Sequence, residues 1–242
     1  MIYTLKKFKY LNIYRKFTMV LILISIIPFI IISKLNRVDI YITENMSLFE
    51  LMASFMSLPF DYYLPVTAGF LYILNDVFYC IDENFIYKFK SKKDWIKDKV
   101  FSSILISILY VSIVYFIISF IFQLKLNLTI NSSFFIYSFI SIILSSLVYI
   151  IYSVFCIIIY LLFRNKKNIS ISFVYTSIIA LIIAGTFSDV SQLPNNLILY
   201  NFSNFNRLIL IDKNFISAIF LLSIILFILL ECVYIILDSK DF

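Results

Sequence analysis

Residues 134–163 read FFIYSFISIILSSLVYIIYSVFCIIIYLLF, thirty residues without a charge, a proline or a glycine. A bilayer's hydrocarbon core is about 30 Å thick and is crossed by about 20 apolar residues of helix. The run therefore predicts a membrane-spanning helix, long enough to tilt or to project into the cytosol. Five further apolar runs flank it: Phe17–Ser33, Tyr62–Tyr79, Val100–Phe122, Ile169–Phe187 and Ile216–Leu237. Over its 242 residues the chain is 62% hydrophobic and only 14% charged, with a mean hydropathy of +1.00. A soluble domain is about a quarter charged. The expected fold is all-α: one polytopic transmembrane domain over 1–242, with six spans and too little remaining chain for a separate soluble domain.

Lysine and arginine collect on the cytoplasmic side of a membrane protein. With the N-terminus inside, the inner segments hold fifteen of the twenty basic residues, and the outer side holds Lys34, Arg37, Lys125, Arg207 and Lys213. This bias predicts cytoplasmic N- and C-termini. The first span has the basic start of a signal peptide but no small-residue cleavage pattern after it, so it is read as an uncleaved span. The abundance of Ile, Asn, Lys, Phe and Tyr points to an AT-rich, bacterial genome and a multi-pass protein of the plasma membrane. Cys80, Cys156 and Cys232 lie within or at the inner ends of spans and have neither disulfide nor metal spacing.

Several chemistries lack their residues. There is no histidine, which removes His-based catalysis and His-ligated metals. The two glycines, Gly69 and Gly185, cannot build a Walker loop, which needs two glycines five positions apart before a lysine. No nucleophile elbow or paired-carboxylate site is present. The chain is expected to be no enzyme and to bind no cofactor of its own, so any ATP and Mg would sit on a partner subunit. Nothing in it suggests nucleic-acid binding.

Residues 1–16 interleave Tyr3, Phe8, Tyr10 and Tyr14 with five basic residues. This suits a helix in the inner interface, contacting lipid, or equally a plain basic flank. In the first outer connection Leu48, Leu51, Phe55 and Leu58 recur at helical spacing, predicting a short outer helix ending near Pro59. The outer loop 188–215 is Asn-rich and broken, and predicts a cap over the bundle. Ser103 with Ser107, and Ser138 with Ser141 and Ser145, form one-face stripes of the kind that let membrane helices approach. Asp76 and Glu231 are the ionisable residues inside spans. Both lie near the inner ends, which favours an interfacial or structural role over an ion site.

The inner loop 81–99 remains. In residues 80–99, CIDENFIYKFKSKKDWIKDK, ten of twenty are charged. Ser91-Lys92-Lys93-Asp94 has the capping-box form and should start the helix that becomes the third span, with Trp95 as an interfacial anchor. Before it, Asp82–Lys90 reads as a short helix on which Phe85, Ile86 and Phe89 share one face. A topology anchor needs lysines but gains nothing from that apolar face. Either it lies on the membrane or it docks into a groove on a partner.

In these features the chain resembles the permease subunit of an ABC-2-type ATP-binding-cassette exporter, of the bacterial peptide or antimicrobial kind. Six spans, inner termini, a basic amphipathic N-terminal segment and a charged loop between spans two and three carry the resemblance. It implies that Glu83, Phe85, Ile86 and Phe89 belong to a coupling helix seated on a separate ATPase. It also implies that Ser91, Lys92, Trp95 and Lys99 form the basic turn behind that helix, where the family's usual arginines are lysines. The implied partners are an ABC ATPase and a second permease, copy or homologue. The implied cargo is hydrophobic or amphipathic, a peptide toxin or antibiotic among the candidates. Two other readings stay open: a non-transporting membrane immunity or assembly protein, and a secondary transporter.

Overall fold

The computed structural model describes residues 13–35, 48, 51–52, 64–79, 91–126, 128, 130, 132–163 and 215–239. Every regular element among them is helical, and five helices are long: α1 (Ile13–Leu35), α2 (Leu64–Tyr79), α3 (Lys92–Leu126), α4 (Ser132–Phe163) and α5 (Phe215–Asp238). Each coincides with an apolar run expected from the sequence. The expected span 169–187, the coupling segment 82–90 and residues 188–214 lie outside the described residues. Among those described, three helices are long and apolar enough to cross a membrane: Lys93–Leu126, Phe134–Ile159 and Ile219–Asp238.

The helix limits follow local chemistry. α3 is 35 residues long because its charged first turn is capped and leads directly into an apolar run. α1 begins at Ile13, so Arg15 and Lys16, expected in a flanking segment, form its first turn. α2 starts one residue before Pro65, a position where proline's missing N–H removes nothing from the helix. Leu48, Leu51 and Met52 are helical and buried, in keeping with the expected outer helix; Phe55 and Leu58 lie outside the described residues.

α4 is the central helix. It packs along α3 and along α5, while α1 and α2 pack on each other and on α3. Of the most apolar 18-residue window, 72% is buried in α4, 44% in α3 and 11% in α5. From Val148 to Ile159, every α4 residue but Phe155 is buried. The buried face of α3 runs from Trp95 through Ser103, Tyr110 and Ile118 to Phe122, and Leu109, Phe116, Phe120 and Leu124 project outward. Lipid solvates such an outward face as well as a protein would, so close packing and hydrogen bonds must hold the helices together.

The serine stripes behave as packing surfaces. Ser103, Ser107, Ser138 and Ser141 are buried and Ser145 is half-buried. Ser107 Oγ donates back to the Ser103 carbonyl at 2.7 Å, and Ser119 Oγ to the Tyr115 carbonyl at 2.8 Å. These i to i−4 bonds satisfy the hydroxyls inside the helix. Ser138 Oγ instead reaches across, 3.0 Å from Tyr115 Oη.

Candidate functional site

The start of α3 is built as the sequence predicts. Ser91 Oγ accepts the Asp94 backbone N–H at 3.1 Å and donates to Asp94 Oδ2 at 2.9 Å. The Trp95 N–H donates to the Ser91 carbonyl at 3.2 Å. The side chain thereby satisfies one of the N–H groups that a helix start leaves without an intrahelical partner, and the Ser91 carbonyl accepts the first bond of the helix itself. The carboxylate of Asp94 also lies at the positive end of the helix dipole.

From this cap the charged residues divide between two faces. Lys93, Asp94 and Lys97 are exposed, while Asp98 and Lys99 are 6% and 5% exposed. Lys93 Nζ stands 3.6 Å from Asp238 Oδ2 and so ties the first turn of α3 to the last turn of α5. Asp98, Lys99, Ser102 and Ser103 continue the face that carries Trp95. Ser102 Oγ donates to the Asp98 carbonyl at 2.7 Å. Paired burial of this kind follows from the i, i+3, i+4, i+7 geometry of one helix face.

Trp95, expected as an interfacial anchor, is 3% exposed and belongs to the core. The reason is phase: residue 95 lies on the face that continues through 99, 102 and 106, and the bundle covers that face down to the start of the helix. Lys99, expected in the basic turn, is turned inward with it. Ser91 is exposed, and Lys92 is the first helical residue. Glu83, Phe85, Ile86 and Phe89 lie outside the described residues. Asp76 lies in the last turn of α2. Glu231 is exposed on α5, along the stripe of Ile216, Phe220, Ile224, Phe227 and Ile235. It therefore faces away from the bundle, which suits neither a buried ion site nor a proton path through the centre.

The sequence reading missed a second feature. At mid-height, Phe17, Phe70, Tyr110, Tyr149 and Tyr152 form one aromatic cluster that joins four helices. The Phe70 and Tyr149 ring centroids are 4.7 Å apart, Phe70 and Tyr110 5.5 Å, and Tyr110 and Tyr149 6.0 Å in edge geometry. Phe17 of α1 meets Tyr110 at 6.2 Å, and Tyr152 meets Tyr149 at 6.3 Å. Tyr110 Oη donates to the Val66 carbonyl at 2.7 Å. A signal was present: Tyr110 follows Ser103 and Ser107 on the same α3 face. In a chain with 18 tyrosines, such a signal does not stand out.

Among the described residues, no group of three or more Cys, Asp or Glu side chains is placed to hold a metal ion. Comparison with protein-family models, curated proteins and solved structures finds no match to this chain.

Proposed function

We propose that the chain is the membrane-spanning permease subunit of a bacterial ABC exporter, moving a hydrophobic or amphipathic cargo with ATP hydrolysed on a separate ATPase. In this reading it crosses the plasma membrane six times with both termini inside. It pairs with a second permease, copy or homologue, and Mg-ATP stays on the partner. One observation carries the reading furthest: the charged turn at 91–99 opens a helix that runs unbroken for 35 residues into the layer beside α4. At 1.5 Å per residue this rod is about 52 Å long, some 20 Å more than a bilayer core. In this reading its start stands in the inner aqueous layer, directly after the segment bearing Phe85, Ile86 and Phe89. A push there reaches the bundle without an intervening hinge.

Coupling of this kind works only if the ATPase favours one bundle state over another. The site supplies the rod and the grip: Lys93 on Asp238, and a buried Trp95 face against the core. The apolar walls suit an apolar passenger.

The test is co-purification of the chain with the ATPase encoded beside its gene, wild type against Phe85→Ala/Phe89→Ala. Stable association that the double substitution abolishes is the expected result. Absence of any associated ATPase, or binding indifferent to those side chains, would sink the exporter reading.

A further inference from the structure

Two contacts and one short connection fix the direction in which α4 and α5 run. Residues 127–131 join α3 to α4, and the two helices lie antiparallel: Tyr115 meets Ser138, while Tyr110, earlier on α3, meets Tyr149, later on α4. The end of α4 at Phe163 therefore lies beside the start of α3. Lys93 Nζ, 3.6 Å from Asp238 Oδ2, places the end of α5 there too. α4 and α5, which pack along one another, thus run in the same direction. The chain leaves α4 at Phe163 and enters α5 at Phe215, the far end of a helix of 24 residues, about 36 Å away. Residues 164–214 must return across that distance.

Along α3, α4 and α5 that distance is a membrane's thickness, so the return has to satisfy its backbone in lipid. Between 164 and 214 only Ile169–Phe187 is charge-free and apolar over such a length; the rest is broken by Pro194, asparagines and charges. Five residues, 164–168, separate this run from α4, so it begins near the end of the bundle that holds Trp95. There α4 has no face left to offer: from Val148 to Ile159 all residues but Phe155 are buried. α5 has one. Only 11% of its apolar window is buried, and Phe220, Ile224, Phe227 and Ile228 form an open stripe that Glu231 continues. Lipid would suit the apolar part of this stripe, but a carboxylate against acyl chains is costly without a partner.

We infer that residues 169–187 cover the open stripe of α5, antiparallel to it, with Glu231 facing Lys166 and Lys167. Two complementarities support this docking. Phe220, Ile224 and Ile228 are large and recur at four-residue steps, whereas Thr176, Ala180 and Ala184 recur at the same step and are small. Small residues on one helix let the other approach closely. Setting Ala184 beside Phe220, Ala180 beside Ile224 and Thr176 beside Ile228 brings Lys167 within about two turns of Glu231 along the axis. Two side chains of that length span the gap. A second copy seated on the stripe about a two-fold axis would instead bring Glu231 toward its own counterpart, a like-charge approach. The docking holds whether or not the chain serves an ATPase.

The test is disulfide cross-linking of the full chain in cell membranes, with Cys80, Cys156 and Cys232 replaced by serine. Ile224→Cys/Ala180→Cys and Phe220→Cys/Ala184→Cys should each oxidise to an intrachain disulfide, detected by mass spectrometry as one joined peptide. Leu109→Cys/Ala180→Cys, which uses the outward stripe of α3, should give no such product. Adding Glu231→Lys to the first pair should slow its cross-linking about threefold, in the range of an exposed ion pair. Adding Lys166→Glu/Lys167→Glu as well should restore the rate. Absence of an intrachain product from both α5 pairs overturns the docking. So does a product from the Leu109→Cys pair, which would seat the segment on α3. A disulfide-linked dimer from Ile224→Cys alone would assign the stripe to a second copy and overturn it equally. A rate indifferent to Glu231→Lys overturns the pairing with the lysines.

Discussion

Gly69 shows how much one missing methyl group can hold. A Cβ there would meet Val20 Cγ1 at 2.6 Å and Tyr110 Oη at 2.8 Å, so Gly69→Ala must spread α1 and α3 from α2. We expect a loss of about 1–3 kcal/mol, the usual range for overpacking, read as a fall in thermal stability in nanodiscs. Adding Val20→Ala to that variant should recover part of the loss, as contacting sites are not additive. At Ser91 the expectation is local. Ser91→Ala removes the acceptor of the Asp94 N–H and should cost the α3 start about 1 kcal/mol. Amide exchange over 92–95 would then rise roughly fivefold, with α4 unaffected. The Ser91–Asp94 cap was legible because its chemistry is local, four residues reading one another. The inward turn of Trp95 was not, because an isolated helix does not show which of its faces the neighbours will cover.

At the scale of elements, the proposed exporter reading rests on α3. If it acts as a rod, a break between its charged start and its apolar run should separate docking from transport in the proposed exporter. Val100→Pro removes a backbone donor and clashes with the carbonyl of Ile96, costing about 3 kcal/mol locally. The expected outcome is a variant that still co-purifies with its ATPase but no longer exports. Variants that lose both together would place the fault in assembly instead. The Lys93–Asp238 pair gives a contrasting case. Its side chains are 58% and 62% exposed, so Lys93→Gln should change thermal stability by less than about 0.5 kcal/mol. Helix limits were readable to within a few residues wherever a charge-free run met lysines or a cap, as at Phe163 and Arg164. The stripe Ser103, Ser107 was readable as a packing face. Tyr149 and Thr67 were not readable as partners, since they are 82 residues apart and nothing in either helix encodes their meeting.

For the whole molecule, orientation is the prediction most open to test. Reporter fusions after Lys90 and after Phe242 should show cytoplasmic activity, and one after Asn127 should show external activity. An external signal after Lys90 would turn the molecule over and leave no site for an ATPase. The helical character of the described residues was legible from hydropathy and run length, because an isolated charge-free run of about 20 residues satisfies its backbone in lipid as a helix. The centrality of α4 was less so: its run is the longest, yet the neglected face of α5 is just as apolar. That unequal burial has a consequence for the lipid. α3 carries no charge from Val100 to Leu124, about 37 Å of helix, whereas α5 runs only from Phe215 to Leu230 before Glu231, about 24 Å. A bilayer core of about 30 Å is too thin for the first to stand upright and too thick for the second to keep its carboxylate in water. Thinner membranes tilt α3 and relieve α5; thicker ones straighten α3 and draw Glu231 into the acyl chains. Acyl-chain length thus pulls on these two helices in opposite senses and sets the resting posture of the molecule.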